Sequence, residues 1–561
     1  MKVVIIGGVA GGASAAARLR RLDEQAQIII LEKGEYISYA NCGLPYYIGG
    51  EITKKKALTL QTPESFYNRF RIDVRVGNEA TAIDREGKKV TVKRSDGSVY
   101  EETYDKLILS PGAKPLIPPL PGVEDERIFT LRNIPDTYRI REYVEEKKPS
   151  CALVVGGGYI GIELAENLAK NNIHVTVAEL ADHVIAPLDY DMACDVHHYL
   201  RSNGIELMLS TGVKGFENRD GGLYAKLGEE ERKFDLVILS VGVRPDSALA
   251  VDCGLKVNAR GAILTSDHMV TSDPDIYAVG DAVAVKNFVT GQEAYLPLAG
   301  PANKQGRIAA DNICGLDSAY RGTQGSAVLK LFDMTVASTG LNEASAKAAG
   351  CDYHKAYAFS ASHATYYPGA TNMSIKVLFS KEDGTILGAQ LVGFDGVDKR
   401  CDVLATAIRA GLKIQELPDL ELCYAPPFSS AKDPVNMLGF IGENILTGKV
   451  KQFYWEDYDS LPEDAVKLDV RMEMEFARGH VEGAVNIPLD SLRDRLSELD
   501  AAKPIYVNCQ SALRSYIACR ILTQNGFTCY NLAGGWRLYE SVHKDIQFNQ
   551  ILRHPCGIEV E

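Results

Sequence analysis

Two cysteines in this 561-residue chain stand where sulfur chemistry is at home. Cys42 lies in Ser38-Tyr39-Ala40-Asn41-Cys42-Gly43-Leu44-Pro45-Tyr46-Tyr47, between an amide side chain and a Gly-Leu-Pro turn, close behind a glycine-rich loop. A thiol placed there can lie beside whatever that loop holds, so Cys42 reads as a redox residue. A dithiol enzyme would carry a second cysteine a few residues on, and position 47 is Tyr47. Cys42 must then form its disulfide with an external partner, or cycle through sulfenic acid or persulfide. The other thiol opens Cys509-Gln510-Ser511-Ala512-Leu513-Arg514-Ser515, ahead of a helix. Successive N–H groups in such a loop form a nest whose positive potential lowers a thiol pKa and stabilises an anionic sulfur.

These thiols need rigid elements to hold them, and the chain is long enough for several domains at roughly 100 to 200 residues each. A hydrophobic content of 46% and a charged content of 24% describe an ordinary globular protein. The net charge of −13 argues against a general nucleic-acid binder. It does not exclude anionic ligands, which backbone N–H groups and a few local cations can hold. Twelve cysteines without a Cys-x-x-Cys pair make neither a disulfide framework nor a zinc site, so no metal is expected and reduced cytoplasmic thiols are the simpler reading. The apolar run Val3-Val4-Ile5-Ile6 is far too short for a membrane span and reads as a first strand.

That strand runs into Gly7-Gly8-Val9-Ala10-Gly11-Gly12 and an alanine-rich helix; a second strand, Gln27-Ile28-Ile29-Ile30-Leu31, ends in Glu32. Strand, glycine turn, helix, strand and terminal acid form the Rossmann layout, in which glycines admit a pyrophosphate and the acid accepts ribose hydroxyls. Val9 replaces the middle glycine, so close backbone approach is not guaranteed there. Residues 104 to 113 then read as a buried strand ending in a turn at Gly112, and 271 to 282 as a short strand followed by Gly280-Asp281. The plan repeats. Gly156, Gly158 and Gly161 complete G-x-G-x-x-G after Ala152-Leu153-Val154-Val155, and His174-Val175-Thr176-Val177-Ala178 ends in Glu179. A carboxylate there accepts from a 2′-hydroxyl and repels a 2′-phosphate, which favours NADH, with NADPH the alternative.

After about residue 323 the texture changes to strands of an antiparallel sheet at 328–332, 373–379 and 386–392, followed by a helix at 399–411. Two segments there set a phenol beside a proline turn, His363-Ala364-Thr365-Tyr366-Tyr367-Pro368-Gly369 and Tyr424-Ala425-Pro426-Pro427-Phe428.

The double plan resembles the two-dinucleotide-binding-domain flavoproteins, and the resemblance implies FAD, with Glu32 at its adenosine end and Asp281 at its ribityl end. Gly7, Gly8, Gly11, Gly12 and Gly112 would frame the FAD site, and Gly156, Gly158, Gly161 and Glu179 the nicotinamide cofactor. More narrowly, the Gly-Gly-Val-Ala-Gly-Gly loop, the Cys42 segment, the two tyrosine segments and Leu298-Ala299-Gly300-Pro301-Ala302-Asn303-Lys304-Gln305-Gly306-Arg307 are similar to the coenzyme A disulfide reductases over residues 1 to about 445. The resemblance implies a homodimer in which Cys42 is the nucleophile and Tyr367 and Tyr424 donate to the neighbouring subunit's thiol, with Asn41 a further donor. Tyr366 is the alternative to Tyr367. Coenzyme A carries phosphates, and Arg18, Arg21, Ser38 and Arg307 are the candidate ligands.

From about 455 a fresh α/β pattern begins, and residues 455 to 545, including Leu532-Ala533-Gly534-Gly535-Trp536, are similar to rhodanese. Its loop departs from Cys-Arg-Ser-Gly at Gln510 and Ala512, and Arg514 closes it. The expected architecture is therefore α/β: two Rossmann-like dinucleotide-binding domains (1–115 with 247–322 for FAD, 116–246 for NAD(H)), an α+β dimerisation domain (323–445) and a C-terminal α/β rhodanese domain (455–561). The expected activity is NADH-dependent reduction of coenzyme A disulfide, coenzyme A persulfide or polysulfide, with Cys509 handling sulfane sulfur. The rivals are an NADH oxidase or peroxidase that uses a Cys42 sulfenic acid, and a redox-sensing sulfur-delivery protein.

Overall fold

The computed structural model describes residues 1–552, so the last nine residues of the C-terminal domain expected at 455–561 lie outside the described residues. The chain forms two compact units, one of residues 1–181 with 204–325 and one of 182–203 with 326 onward.

The first unit holds two parallel sheets built alike. In one, Lys2–Ile6 is flanked by Gln27–Leu31 and Lys106–Leu109, with Asp73–Arg75 and Ile276–Ala278 at the edges. In the other, Cys151–Val155 is flanked by His174–Ala178 and Leu236–Leu239, with Glu206–Met208 and Ile128–Phe129 outside them. Their central strands are continuous β-branched and apolar runs, buried along nearly their whole length, as strands covered on both faces must be. Each sheet also carries a three-stranded antiparallel excursion, at 78–103 before Lys106–Leu109 and at 213–234 before Leu236–Leu239. The two copies meet where Ala113–Pro115 pairs antiparallel with Val243–Pro245, corresponding segments of the repeated plan.

Glycine is required at the first position of each loop. Gly7 has φ +98° and Gly156 φ +104°, and a Cβ there would lie 2.0 Å from the Ser110 carbonyl oxygen or 2.4 Å from that of Ser240. The middle position differs. Val9 (φ −100°) and Gly158 (φ −75°) both have ordinary negative φ, so the turn itself tolerates a β-branched residue at Val9.

In the second unit, five antiparallel strands run in the order 327–331, 334–340, 386–393, 372–380, 353–361. All eight residues of Ile386–Gly393 are buried. Helices Val397–Ala410 and Pro434–Leu446 follow. A second, wholly parallel sheet of 452–453, 529–532, 505–508, 466–469 and 485–486 carries the C-terminal domain. The helix Tyr190–Ser202, which the sequence groups with 116–246, packs in this unit. Lys376 on the antiparallel sheet is fully buried and meets Asp189 (2.9 Å), Asp191 (2.9 Å) and Glu343 (2.6 Å). The terminal helix Gly535–Leu552 docks on the same 190–202 helix: the Asp545 carboxylate accepts from Tyr190 Oη (2.8 Å), His197 Nδ1 (3.1 Å) and the Arg201 guanidinium.

The antiparallel sheet with its helices and the parallel C-terminal sheet, added to the paired Rossmann-like units, make the α/β architecture expected from the sequence.

Candidate active site

Cys42 is exposed, in the turn Asn41–Gly43 that opens the short helix Leu44–Gly49. The approach to it is held by Ser38, which donates its N–H to the Gly8 carbonyl (2.8 Å), and by Ala40, which donates to Leu58 O (2.8 Å). Ser38 sits in the left-handed region at φ +44°, where a non-glycine residue is strained, a common feature of functional loops. Leu44, Pro45, Tyr47 and Ile48 anchor the helix in the core. Tyr47, in the position of a missing second cysteine, is thus a core residue, with Arg141 over its ring at 5.6 Å and bonded to its carbonyl oxygen at 2.7 Å.

The thiol's surroundings hold its pKa above the ordinary value. Partial desolvation of the sulfur by the residues around it is the largest cause, followed by the negative charges of Glu163 and Asp281, and Arg132 opposes them. Glu163 comes from the second glycine-loop helix, Tyr159–Ala169, and accepts a hydrogen bond from Tyr46 Oη at 3.2 Å. Burial pushes its carboxyl up to about 7, against the Tyr46 hydrogen bond. The sequence marks Glu163 and Tyr46 only weakly. The available signal was Glu163's place two residues beyond Gly161, in the first turn and a half of a helix aimed at the first domain. Because an ionised Glu163 disfavours a second negative charge nearby, Glu163→Gln is expected to shift the pH midpoint of Cys42 alkylation to lower pH. Iodoacetamide labelling followed by peptide mass mapping, across pH 6 to 10, measures it; a midpoint unchanged or raised would remove Glu163 from control of the thiol.

The two terminal acids do the same job in each copy. Glu32 accepts from Gly8 N (3.0 Å) and Gly34 N (2.9 Å), and Glu179 from Gly157 N (2.6 Å) and Ala181 N (2.8 Å). Each carboxylate therefore ties its strand end to its own glycine loop. Asp281 accepts from Arg132 Nη2 at 3.1 Å, and Tyr295 donates to the Asp281 carbonyl at 2.9 Å. Gly112 has φ +79°, and a Cβ there would lie 2.8 Å from the same Arg132 Nη2. The remaining loop glycines are tight for packing reasons: a Cβ at Gly12 would meet Gly7 O at 1.9 Å, at Gly8 the Ile37 side chain at 2.8 Å, and at Gly11 the Val279 side chain at 2.9 Å. Gly161 repeats Gly12, 2.1 Å from Gly156 O, and only Gly158 opens onto free space.

The candidate arginines divide. The helices Ala10–Leu22 and Ala299–Ile313 touch where a Cβ on Gly306 would lie 2.2 Å from Gly11 O. Along this seam Ser14 Oγ bonds Asn303 Oδ1 (2.6 Å) and Arg18 Nε bonds Asp311 Oδ1 (2.6 Å). Arg18 is therefore charge-paired within the unit, whereas Arg21 and Arg307 are exposed on the same two helices. Arg20 between them is buried, donating to the carbonyls of Phe70, Glu24 and Ala26 among others, and is structural.

In the second unit the tyrosine segments are drawn together by a residue that no motif in the sequence marks. Arg400 is 1% exposed and donates to Ser362 O (2.9 Å), Ser429 Oγ (3.2 Å) and Asp433 Oδ2 (3.0 Å), and Ala364 N donates to Ser429 O (3.0 Å). The result is a phenol pair, Tyr366 Oη to Tyr424 Oη at 2.7 Å. Tyr367, the residue preferred from sequence, instead sets its ring edge-on against His363 at 5.7 Å, because the 364–367 turn (Tyr367 N to Ala364 O, 3.0 Å) rotates it away from the pair. A surface cavity of about 510 Å³ beside them is lined by Asp398, Lys399, Cys423, Tyr424, Pro427 and Phe428.

Cys509 follows the strand Ile505–Asn508 and is 1% exposed. Ser515 Oγ donates to its sulfur at 3.2 Å, and Trp536 N–H donates to its carbonyl at 2.7 Å. Ala512, at φ +69°, turns the loop into the helix Leu513–Gln524. Arg514 is engaged by both oxygens of Glu475, each at 2.7 Å.

Among the described residues, Cys194, His197 and Asp545 offer ligand atoms within 4.8 Å of one another. Both His197 nitrogens are already used, since Nε2 accepts from Val184 N (3.2 Å) and Nδ1 donates to Asp545, and Arg201 supplies the cation. The cluster reads as a helix-docking lock.

Comparison with known proteins assigns the domains to families. Residues 1–306 match the family described as pyridine nucleotide-disulphide oxidoreductase, 326–434 its dimerisation domain, and 456–541 a rhodanese-like domain. A coenzyme A disulfide reductase from Staphylococcus aureus is 37% identical over 441 residues, 78% of this chain and 99% of that protein. The structure of reduced Bacillus anthracis CoADR-RHD superposes with a TM-score of 0.95 at 50% identity, over 97% of this chain and 98% of that one. That of an NAD-dependent persulfide reductase from A. fulgidus does so at 0.91 and 39%, over 96% and 100%.

Proposed function

The chain belongs to the pyridine nucleotide-disulphide oxidoreductase family, and from that premise we propose that it is an FAD-dependent enzyme that uses NADH to reduce coenzyme A disulfide, coenzyme A persulfide or polysulfide through Cys42. The observation that carries the reading is the exposed thiol of Cys42, bordered by acids from both nucleotide-binding units, in a chain that also holds a loop-borne rhodanese-like cysteine.

The residues present fit FAD: the Gly7 turn leaves no room for a side chain, and Glu32 and Asp281 stand at the ends of strands of one sheet as acceptors for hydroxyls. Bound FAD would supply two-electron transfer between NADH and the sulfur bonded to Cys42. Glu179 would take the ribose hydroxyls of NADH at the second loop, where Gly158 leaves space for a pyrophosphate.

Cys42 as thiolate attacks one sulfur of coenzyme A disulfide, breaking the S–S bond, releasing coenzyme A thiolate and leaving a mixed disulfide on Cys42. The phenols of Tyr424 and Tyr366 would donate to that thiolate across a homodimer interface, in the role expected for Tyr367, since Tyr366 carries the hydroxyl that meets Tyr424. Asn41 is a second donor beside the thiol. Arg21, Arg307 and Ser38, with the remaining guanidinium N–H groups of Arg18, would hold coenzyme A phosphates. No helix among the described residues is long and apolar enough to cross a membrane, and free thiols suit a cytoplasmic enzyme. The domain limits inferred from sequence are proposed with one exception: residues 182–203, which carry the helix Tyr190–Ser202 and group with the second unit, serve as a structural brace rather than as part of nucleotide binding.

Anaerobic NADH consumption with coenzyme A disulfide, coenzyme A persulfide and hydrogen peroxide tests the reading. Turnover with the two coenzyme A substrates supports it, and turnover with peroxide alone overturns it in favour of a peroxidase. Cofactor choice has its own test. Glu179→Ala should lower the NADH-to-NADPH ratio of kcat/KM by about tenfold or more, by removing both the hydroxyl acceptor and the charge that repels a 2′-phosphate. An unchanged ratio would assign the discrimination to other residues.

A further inference from the structure

The C-terminal domain holds two further buried thiols besides Cys509, and they meet each other. Cys519, 2% exposed, lies on the helix Leu513–Gln524, and Cys529, 5% exposed, opens the strand Cys529–Leu532. Both are free. The Cys529 sulfur lies 3.4 Å from the Cys519 carbonyl oxygen, to which its protonated form donates, and 3.3 Å from Thr523 Oγ1, one helical turn beyond Cys519. Alternation along the strand puts Asn531 on the same face as Cys529, and the Asn531 amide donates to Ala512 O at 3.3 Å. The strand therefore grips this helix at its start and again at Cys519. Ser515, whose Oγ donates to the Cys509 sulfur at 3.2 Å, stands one turn before Cys519.

The two thiols are not equivalent. Burial ordinarily raises a thiol pKa, and it is the main reason Cys401 is pushed up to about 12. Cys529 goes the other way. The Cys519 S–H and the Thr523 hydroxyl donate to its sulfur and Arg520 adds a positive charge, which together outweigh burial and hold it below the ordinary thiol value. Cys519, which gives that hydrogen bond and is itself buried, is held well above it. One sulfur is thus readied as a thiolate while its neighbour keeps a proton to give. Thr523 to Gly526 and Thr528 are exposed, so Cys529 lies one side chain beneath an open turn. A small oxidant fits such an approach, and a bulky disulfide does not.

We propose that Cys519 and Cys529 form a second redox site, a buried dithiol that hydrogen peroxide closes to a disulfide, with Cys529 as the attacking thiol and Cys519 as the resolving one. The Cys529 thiolate attacks one oxygen of the peroxide; the O–O bond breaks, hydroxide leaves and takes up the proton that Cys529 gave up, and Cys529 becomes a sulfenic acid. The Cys519 sulfur then attacks the Cys529 sulfur; the S–O bond breaks, and the departing hydroxide takes the Cys519 proton as water. Two thiols lose two electrons and two protons, and one peroxide becomes two waters. The disulfide ties the helix that carries Ser515 to the neighbouring strand by a covalent bond, one turn from the residue that holds the Cys509 sulfur. Neither Cys42 nor Cys509 takes part.

The test uses the reduced full-length holoenzyme without NADH. After exposure to hydrogen peroxide and quenching with catalase, the protein is alkylated with N-ethylmaleimide in denaturant and digested with trypsin in the absence of reductant. Cleavage after Arg514, Arg520 and Arg537 separates residues 515–520, with Cys519, from 521–537, with Cys529, so the disulfide appears as one cross-linked pair of peptides in the mass spectrum. Peroxide should raise the cross-linked fraction by about tenfold or more over untreated protein, and dithiothreitol should return both peptides to the alkylated form. In Cys519→Ala, dimedone should trap a sulfenic acid on Cys529; in Cys529→Ala, Cys519 should remain an alkylatable thiol. Wild-type protein whose two peptides both stay alkylated overturns the proposal, and that arm needs no variant. So does a cross-link from either cysteine to Cys509 in place of the pair, or dimedone trapped on Cys519 of Cys529→Ala. If either variant fails to fold, dimedone present while the wild-type chain is oxidised assigns the roles: an adduct on Cys529 supports the assignment, and one on Cys519 overturns it. Because NADH is absent, failure here leaves the reductase reading standing, and failed NADH consumption leaves the dithiol standing.

Discussion

Cys42→Ser is expected to lower NADH-driven reduction of coenzyme A disulfide and persulfide by on the order of 10³-fold or more, the usual cost of removing a covalent nucleophile. The fold of the site should survive, because the Cys42 side chain is exposed and the buried residues of its helix are Leu44, Pro45, Tyr47 and Ile48. Bleaching of the flavin absorbance by NADH should therefore persist, while sulfur-dependent NADH turnover is lost. Stopped-flow absorbance separates the two. A serine variant that kept even a tenth or so of wild-type turnover would show that sulfur is reduced without a covalent link to position 42, and the proposed chemistry would have to be abandoned. Position 47 sharpens the test: Tyr47 is a core residue, so no neighbouring thiol on that helix can stand in.

Arg400→Met should cost about 3–5 kcal/mol of stability, the range for breaking a buried charge pair from one side. The guanidinium is 1% exposed and reaches Asp433 through Nε (3.2 Å) and Nη2 (3.0 Å). Without it, the Asp433 carboxylate, itself 2% exposed, keeps Ser429 Oγ (2.6 Å) and Val435 N (3.0 Å) but no counter-charge. For a unit of this size each kcal/mol moves the melting temperature by roughly 2–4 °C, so calorimetry should find a drop of about 6–20 °C. Pairing the change with Asp433→Asn should recover part of the loss, since the orphaned charge goes with it. The same arginine holds Ser362 and Ser429, the roots of the two tyrosine segments, so the variant should also weaken coenzyme A disulfide reduction with NADH binding intact. A melting temperature within a degree or two of wild type would mean that Asp433 is neutralised some other way.

Local chemistry in the chain is strongly expressed where backbone geometry is demanding. The loops at Gly7 and Gly156 are legible because positive φ and a Cβ exclusion of about two ångströms leave glycine alone at those positions, and the strands around them are legible because burial on both faces requires unbroken apolar runs. Cys42 and Cys509 stand out for a related reason, each lying where a loop enters a helix. Val9 departs from the glycine pattern without cost to the turn: its φ of −100° is open to any residue, so only the approach of a ligand, and not the turn, distinguishes it from Gly158.

What sequence position cannot express is which partner a charged or hydroxyl side chain finds far along the chain. Arg18 and Arg307 look alike on neighbouring helices, yet Asp311, 293 residues from Arg18, pairs with the first and the second stays exposed. Tyr366 and Tyr367 are adjacent, and a single turn hydrogen bond to Ala364 decides which hydroxyl meets Tyr424. Glu163 becomes part of the thiol's surroundings only because two copies of one fold bring residues 46 and 163 within hydrogen-bonding distance. The sequence by itself determined the two nucleotide loops, their terminal acids and the two thiols, because those depend on backbone conformation and spacing within one supersecondary unit. The tertiary structure alone decided the charge balance of each site, because ion pairs, buried carboxyls and donated hydroxyls arise from contacts between segments that chain order does not connect.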